Sequence, residues 1–257
     1  MTAEEKSAIL MKGASFLYHL EDETPVIRNL SFEMKHGENA FLLGKSGSGK
    51  SSLVKAIMGL LHLSEGSYEA FGKTMKDPSV RTIHTVRRRI GILPDRGILL
   101  HNLSVQGNLM FPLRFILHHS KERSLEIVDG ILRQHDLLSI RDNLPFELSI
   151  NMIKTIGLLR ALLFEPSLLI LDDPMEGLDW EGVHFFQAVF DQLKKSTHTS
   201  VLMLSRKPVL VPEFFDHYYE MTSGCLQSVE VSRIKELRNQ MDPLKDSKDS
   251  PPIKANL

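Results

Sequence analysis

Short apolar runs and stretches of helical spacing alternate along the 257-residue chain. Residues 8–43 read as a set of strands. Ile9 to Tyr18 and Val26 to Met34 are apolar-rich, and Glu21-Asp22-Glu23-Thr24-Pro25 makes a turn between them. His36-Gly37-Glu38 turns into Ala40–Leu43, a buried strand. Past a glycine-rich loop, Leu53, Ile57 and Leu61 share one helix face, joined by Val54 and Met58. Ser64-Glu65-Gly66 reads as a turn and Ser67–Phe71 as a short strand. Asp77-Pro78-Ser79 predicts the start of a helix running to about Arg89, and Ile90–Leu93 a strand.

From Pro94 to Glu147 the spacing becomes helical, as in Leu125, Val128, Ile131 and Leu132, with Leu137-Leu138 following. The reading is an all-helical insertion, at about 94–155, in an α/β core. A helix starting near Ser149 carries Ile153, Ile156, Gly157 and Arg160. Ser167–Leu171 is continuously apolar, as in a parallel sheet covered on both faces. A helix over Trp180–Lys195 and a buried strand over Ser200–Leu204 come next. Phe214–Met221 and Leu226–Val231 predict closing strands. One domain over 8–235 accounts for these elements, and no internal repeat is visible. Residues 242–257, rich in Pro, Lys, Asp and Ser, predict a disordered tail.

Composition narrows the class only a little. Hydrophobic content of 42% and charged content of 25% suit a globular domain. A formal net charge of −1 gives no basic field that would draw nucleic acid or an anionic membrane. The single cysteine, Cys225, excludes an internal disulfide and points to a reducing compartment. No apolar run approaches bilayer length, and Met1–Ser7 is acidic without a signal-peptide core. The expected place is the cytosol, or a membrane reached through a partner. His118-His119 and the other histidines show no metal-ligand spacing with Cys225.

The candidate chemistry begins at Gly44-Lys45-Ser46-Gly47-Ser48-Gly49-Lys50-Ser51-Ser52. This fits G-x-x-x-x-G-K-[ST], with a strand before it and a helix after it. Glycines let the backbone wrap a phosphate and turn N–H groups inward, and the helix aims its positive end at the same place. Lys50 adds a full charge for the β- and γ-phosphates, and the Ser51 hydroxyl can hold Mg²⁺. Asp172 ends the strand Leu168–Leu171, where an acid can complete that Mg²⁺ site. Asp173 points elsewhere, placed to orient or deprotonate a water. A strand-to-loop turn is the plain alternative for this Asp-Asp-Pro stretch.

The order of these segments resembles the ATP-binding subunit of an ABC transporter over about residues 8–230. Gly177-Leu178-Asp179 is similar to the family's loop after Walker B. Glu147-Leu148-Ser149-Ile150-Asn151-Met152 lies at the place of the signature, usually E-L-S-G-G-Q. Arg160-Ala161-Leu162 and Glu165-Pro166 match the family's continuation into Walker B. The resemblance implies an ABC-type nucleotide-binding domain, a P-loop NTPase. Its RecA-like α/β core would carry an antiparallel β subdomain and the helical insertion. It implies ATP and Mg²⁺ as cofactors. It also implies a transmembrane permease and a second ATP-binding subunit as partners, and a place on the cytoplasmic face of the inner membrane. It puts Tyr18 where the family stacks an aromatic ring on adenine; sheet packing explains Tyr18 equally well.

Within the family the chain most resembles the ATPase of Mla-type phospholipid systems, which work with MCE-domain proteins. The pointers are Thr85-Val86-Arg87-Arg88-Arg89, Gly97-Ile98-Leu99-Leu100, Asn108–Arg114 and the Met152 ending of the signature. Arg87-Arg88-Arg89 reads as a solvated helix end, with phosphate or lipid headgroup contact as the lesser alternative. Met110, Phe111, Leu113, Phe115 and Ile116 read as core of the insertion, which in the family helps form the groove for the permease's coupling helix.

Four motifs depart from the family pattern. Asp95 replaces the Q-loop glutamine. Ile150 and Asn151 replace the signature glycines. Asp173 replaces the catalytic glutamate, and Arg206 the switch histidine. Asp173 is one methylene short, and a displacement of about 1 Å can cost roughly a hundredfold in rate. Arg206 is permanently charged and cannot exchange a proton as histidine does. Nucleotide binding is therefore expected to survive better than hydrolysis. The expected function is the ATP-binding subunit of a lipid transport complex. The alternative is a non-hydrolysing, ATP-responsive structural or regulatory subunit.

Overall fold

The computed structural model describes residues 7–163, 165–195, 198–208 and 212–241. Its first sheet is antiparallel. β1 (Ser7–Leu17) lies between β2 (Ile27–Lys35) and β4 (His62–Ala70), and β5 (Lys73–Thr74) extends β4. β2 alternates as a half-covered strand must: Ile27, Leu30, Phe32 and Met34 point into the core, while Arg28, Ser31 and Glu33 are exposed.

One predicted turn lies inside a strand. Ser64-Glu65-Gly66 belongs to β4. Gly66 has φ 74°, and a Cβ there would stand 2.3 Å from the Gly13 carbonyl oxygen. The β1–β4 register shifts between Lys12 and Ser15, opposite this residue. The glycine serves a bulge and a close backbone approach, not a chain reversal.

The second sheet has six strands. β3 (Asn39–Leu43) is buried at every position and runs parallel to β8 (Ser200–Ser205) on one side and β9 (His217–Thr222) on the other. Beyond β8 come β7 (Leu168–Asp172) and β6 (Ile90–Leu93), also parallel, while β10 (Cys225–Ser228) pairs antiparallel with β9. Their order is β10-β9-β3-β8-β7-β6. The carboxyl ends of β3, β8, β7 and β6 thus open side by side, the place where open α/β sheets bind ligands.

Helices cover this sheet. α1 (Lys50–Ile57) packs with Leu53, Val54, Ala56 and Ile57 between the two sheets; it ends before Leu61, which is buried beyond it. α2 (Val80–Arg87) is capped by Ser79, as the Asp77-Pro78-Ser79 signal implies, and ends two residues short of Arg89. α3 (Val105–Phe115), α4 (Lys121–Gln134) and α5 (Ile150–Leu162) start on Ser104, Ser120 and Ser149, each accepting a backbone N–H of the first turn. They enclose a core of Val105, Leu109, Leu113, Val128, Leu132 and Ile156. α6 (Trp180–Lys195) packs Phe186, Val189 and Phe190 on the opposite sheet face. The expected strand Leu226–Val231 is shorter, and Val231–Met241 forms α7, which buries Ile234. The tail at 242–257 lies outside the described residues.

Two surface expectations also change. Phe111 and Phe115 face outward from α3 with ring centroids 5.0 Å apart, and of Met110, Phe111, Leu113, Phe115 and Ile116 only Leu113 is buried. Arg87 and Arg89 are not a solvated face. Arg87 donates through Nε to the Met58 carbonyl (2.9 Å) and through Nη2 to Gly59 (3.4 Å), capping the end of α1. Arg89 donates to the Ser167 hydroxyl (3.2 Å) and lies over the Phe71 ring. Arg88 alone of the three is exposed.

Candidate functional site

The loop between β3 and α1 forms a cradle. Gly47 and Gly49 take φ 77° and 108°, which side chains with a Cβ resist. At Gly44 a Cβ would stand 2.5 Å from the Ser48 hydroxyl and 2.9 Å from the Met221 carbonyl oxygen, so only glycine fits there. Lys50 is buried and donates to the carbonyls of Gly44 (2.6 Å) and Lys45 (3.2 Å), holding the loop open around its own ammonium. Burial pushes the Lys50 pKa down, against the pull of Asp173 and Asp172. Among the described residues the buried Ser48 hydroxyl has no hydrogen-bond partner. An orphan donor beside a buried ammonium at a helix N-terminus is what an anionic ligand would complete.

The cradle opens into a cleft of 510 Å³ between the loop, Pro25 and Val26 just before β2, Arg28 in it, and the carboxyl ends of β6, β7 and β8. Ser51 donates to Asp172 Oδ2 at 3.3 Å. Adjacent oxygens on an octahedral Mg²⁺ stand ~2.9 Å apart, so this pair fits two corners of such a site. Burial and the neighbouring Asp173 push the Asp172 pKa up, the condition a bound cation relieves. Among the described residues no group of three His, Cys, Asp or Glu side chains could hold a metal unaided. Phosphate oxygens and water would complete the shell, as is usual for Mg²⁺.

Three of the four departures meet at one point. Arg206 follows β8, Asp173 follows β7 and Asp95 follows β6. The Arg206 backbone N–H donates to Asp173 Oδ1 (2.7 Å) and its Nε to Oδ2 (2.8 Å). Its Nη2 reaches Asp95 at 3.4 and 3.5 Å. Asp173 is buried and both its oxygens are engaged; Asp95 is 43% exposed. The Asp173 charge pushes the Arg206 pKa up. Lys154 of α5 sits behind this group, sealed at 1% exposure. Its Nζ donates to the carbonyls of Asp173 (2.9 Å), Pro174 (3.3 Å) and Glu176 (2.7 Å), fixing the turn that carries Asp173.

A family model described as "ABC transporter" matches residues 27–176, more than half of the chain. The chain belongs to the ABC transporter family. Its fold is that family's nucleotide-binding domain, and it corresponds to the ATP-binding subunit. A protein of Caldanaerobacter subterraneus subsp. tengcongensis, assigned as an ABC transporter ATP-binding protein, is 30% identical over 75% of this chain and 78% of its own length. The methionine import ATP-binding protein of Carboxydothermus hydrogenoformans is 27% identical over 84% of this chain; the chain spans 64% of that relative. A dimeric ATP-binding cassette in a post-hydrolysis state with ADP and Pi superposes with a TM-score of 0.76. It covers 87% of this chain and 98% of its own at 22% identity, a likeness of fold.

The remaining ABC elements sort into two groups. Ser46, Gly47, Ser48, Gly49, Lys50, Ser51 and Ser52 share the cleft with Asp95, Asp172, Asp173 and Arg206, whereas Gly44 and Lys45 line an adjoining pocket on the other side of the loop. Tyr18 stands beside α1: its hydroxyl meets Ser52 Oγ at 2.8 Å and Lys55 lies 5.0 Å from its ring centroid. The signature is apart, at the start of α5. Leu148 is buried and Ser149 caps the helix by accepting from Met152 N–H (3.3 Å), while Ile150 and Met152 are exposed. Asn151 turns inward and accepts the Asp179 N–H (3.2 Å), tying the signature to the loop after β7. Lys154 escaped the sequence reading, although a lysine in a helix buried on nearly every side has to find acceptors.

Proposed function

We propose that this chain powers a membrane transport complex for phospholipids or other lipids, coupling ATP binding, with slow hydrolysis at most, to a permease. One observation carries the emphasis on binding. The phosphate cradle and the Ser51–Asp172 pair are complete, whereas both oxygens of Asp173 are held by Arg206. A general base needs a free oxygen within reach of water. The lipid reading is supported by the segments Thr85–Arg89, Gly97–Leu100 and Asn108–Arg114 and by Met152, which resemble the Mla-type ATPases. On that reading MCE-domain proteins join the complex. The exposed pair Phe111 and Phe115 suits a permease contact; on that reading the subunit sits peripherally on the cytoplasmic face of the inner membrane. Among the described residues no helix is long and apolar enough to cross a membrane. The engaged Asp173 also favours the second reading, a non-hydrolysing ATP-responsive structural or regulatory subunit.

Titration with fluorescent ATP and Mg²⁺ tests the site. Lys50→Ala removes the buried ammonium and should weaken binding at least about tenfold, the scale of hydrogen bonds to a charged group. Equal affinity in wild type and variant would overturn the phosphate assignment. Phospholipid carried by the complex purified with its permease would support the cargo; its absence from a complex active on another solute would refute it.

A further inference from the structure

Asp95, Asp173 and Arg206 each look like a loss when taken singly, yet together they form a bonded group. The two carboxylates hold the guanidinium unequally. Asp173 receives two short hydrogen bonds, from the Arg206 backbone and Nε, and is buried. Asp95 receives two long ones from Nη2, and both partners there are partly open to solvent. Short charge-assisted bonds are the strong ones, so the Asp95 contact is the one a competing anion displaces. The group borders the cleft that Ser46–Ser52 of the phosphate loop also line.

Asp95 cannot easily follow the arginine. Its turn is pinned on α5: a Cβ on Gly157 would stand 2.8 Å from the Gly97 carbonyl oxygen, and Arg160 donates to the Ile98 carbonyl. The buried Asn108 holds Leu100 by both its N–H (2.7 Å) and its carbonyl (3.1 Å). The guanidinium, by contrast, can swing its outer nitrogens about an Nε kept by Asp173.

We propose that Asp95 is a resting counter-ion for Arg206, which the terminal phosphate of ATP displaces, so that Arg206 recognises the γ-phosphate while Asp173 keeps it in place. This rests on the reading of the cleft as an ATP site. ADP lacks the group that competes with Asp95, so the exchange separates the two nucleotides. Asp173 is an anchor in this scheme, and a departing Nη2 leaves Asp95 as a free anion at the edge of the helical insertion.

Calorimetric titration with ATP and with ADP, each with Mg²⁺, tests this on wild type, Asp95→Ala and Arg206→Met. Asp95→Ala removes the competitor without adding a donor, and should tighten ATP about threefold or more beyond any change in ADP affinity; equal tightening of both nucleotides would overturn the exchange. Arg206→Met should cut the preference for ATP over ADP about tenfold, the scale of one hydrogen bond to a charged group. ADP affinity reports that each variant is folded; if Arg206→Met fails to bind ADP, Arg206→Lys, which keeps the charge but loses the fork, should show a reduced ATP preference. ATP affinity unchanged or weakened in Asp95→Ala overturns the counter-ion role. A wild-type ATP-to-ADP ratio in the arginine variants overturns the γ-phosphate role. Wild type that binds neither nucleotide overturns the ATP reading of the cleft instead.

Discussion

Lys154 lies inside the molecule with each of its three ammonium protons given to a carbonyl oxygen. Burial pushes its pKa down, with Asp95, Asp173 and Glu176 opposing that shift. The three acceptors belong to one turn, Asp173 to Glu176, so a single cation sets the shape of the segment leaving β7. Lys154→Met keeps roughly the volume and removes the donors. Three carbonyls lose their partner at about 1 kcal/mol each, a loss on the order of 3 kcal/mol that chemical denaturation would measure. Stability within about 0.5 kcal/mol of wild type would show that water satisfies those carbonyls instead.

At the level of elements, glycine separates two kinds of position. In β4, Gly66 has φ 74° and no room for a Cβ against Gly13. Gly66→Ala combines an unfavourable backbone region with a clash and should cost on the order of 3 kcal/mol. In α4, Gly130 is exposed inside a helix, with nothing within 4 Å of an added Cβ. Gly130→Ala should therefore raise stability by about 0.5–1 kcal/mol. Thermal melts of the pair check both, and shifts of the same sign would refute the distinction.

The same contrast explains what was legible in the sequence. β3, β7 and β8 are continuous apolar runs, so pattern alone reveals them. Gly66 was misread because a glycine between polar residues signals a turn equally well, and the deciding contact lies with another strand. α7 was hidden because the apolar residues from Leu226 to Val231 imitate a strand, and because α7 is largely polar. The phosphate loop is a local motif and was legible to the residue. Arg206 lies 33 positions from Asp173 and 111 from Asp95 in the chain. Only the strand order β8-β7-β6 brings the three together, and no spacing rule encodes that order.

For the whole molecule, the question is what two subunits can do with these parts. In ABC proteins a site forms between subunits: one gives the phosphate loop, Walker B and switch residue, and the other gives the signature. In this chain both halves are altered. The loop half has Asp173 held by Arg206. The signature half presents Ile150, 42% exposed, where a small glycine usually admits the γ-phosphate, and Met152, 37% exposed, beside it. Asn151 is turned away toward Asp179. In a homodimer both sites would combine the two defects. With an intact partner, one site would pair this loop with a good signature and the other a good loop with Ile150. Neither would be whole, so mixing should not restore full turnover at either site. The cradle, Lys50 and the Ser51–Asp172 pair remain able to hold ATP, so the nucleotide should serve chiefly to keep a dimer closed. Light scattering on the eluting protein, with and without Mg-ATP, should show a monomer becoming a dimer, while a phosphate-release assay on the same samples stays near background. A chain that remains monomeric at saturating Mg-ATP would rule out the holding role. Brisk release from a dimer that depends on Asp172 would show that Arg206 yields Asp173 to water after all.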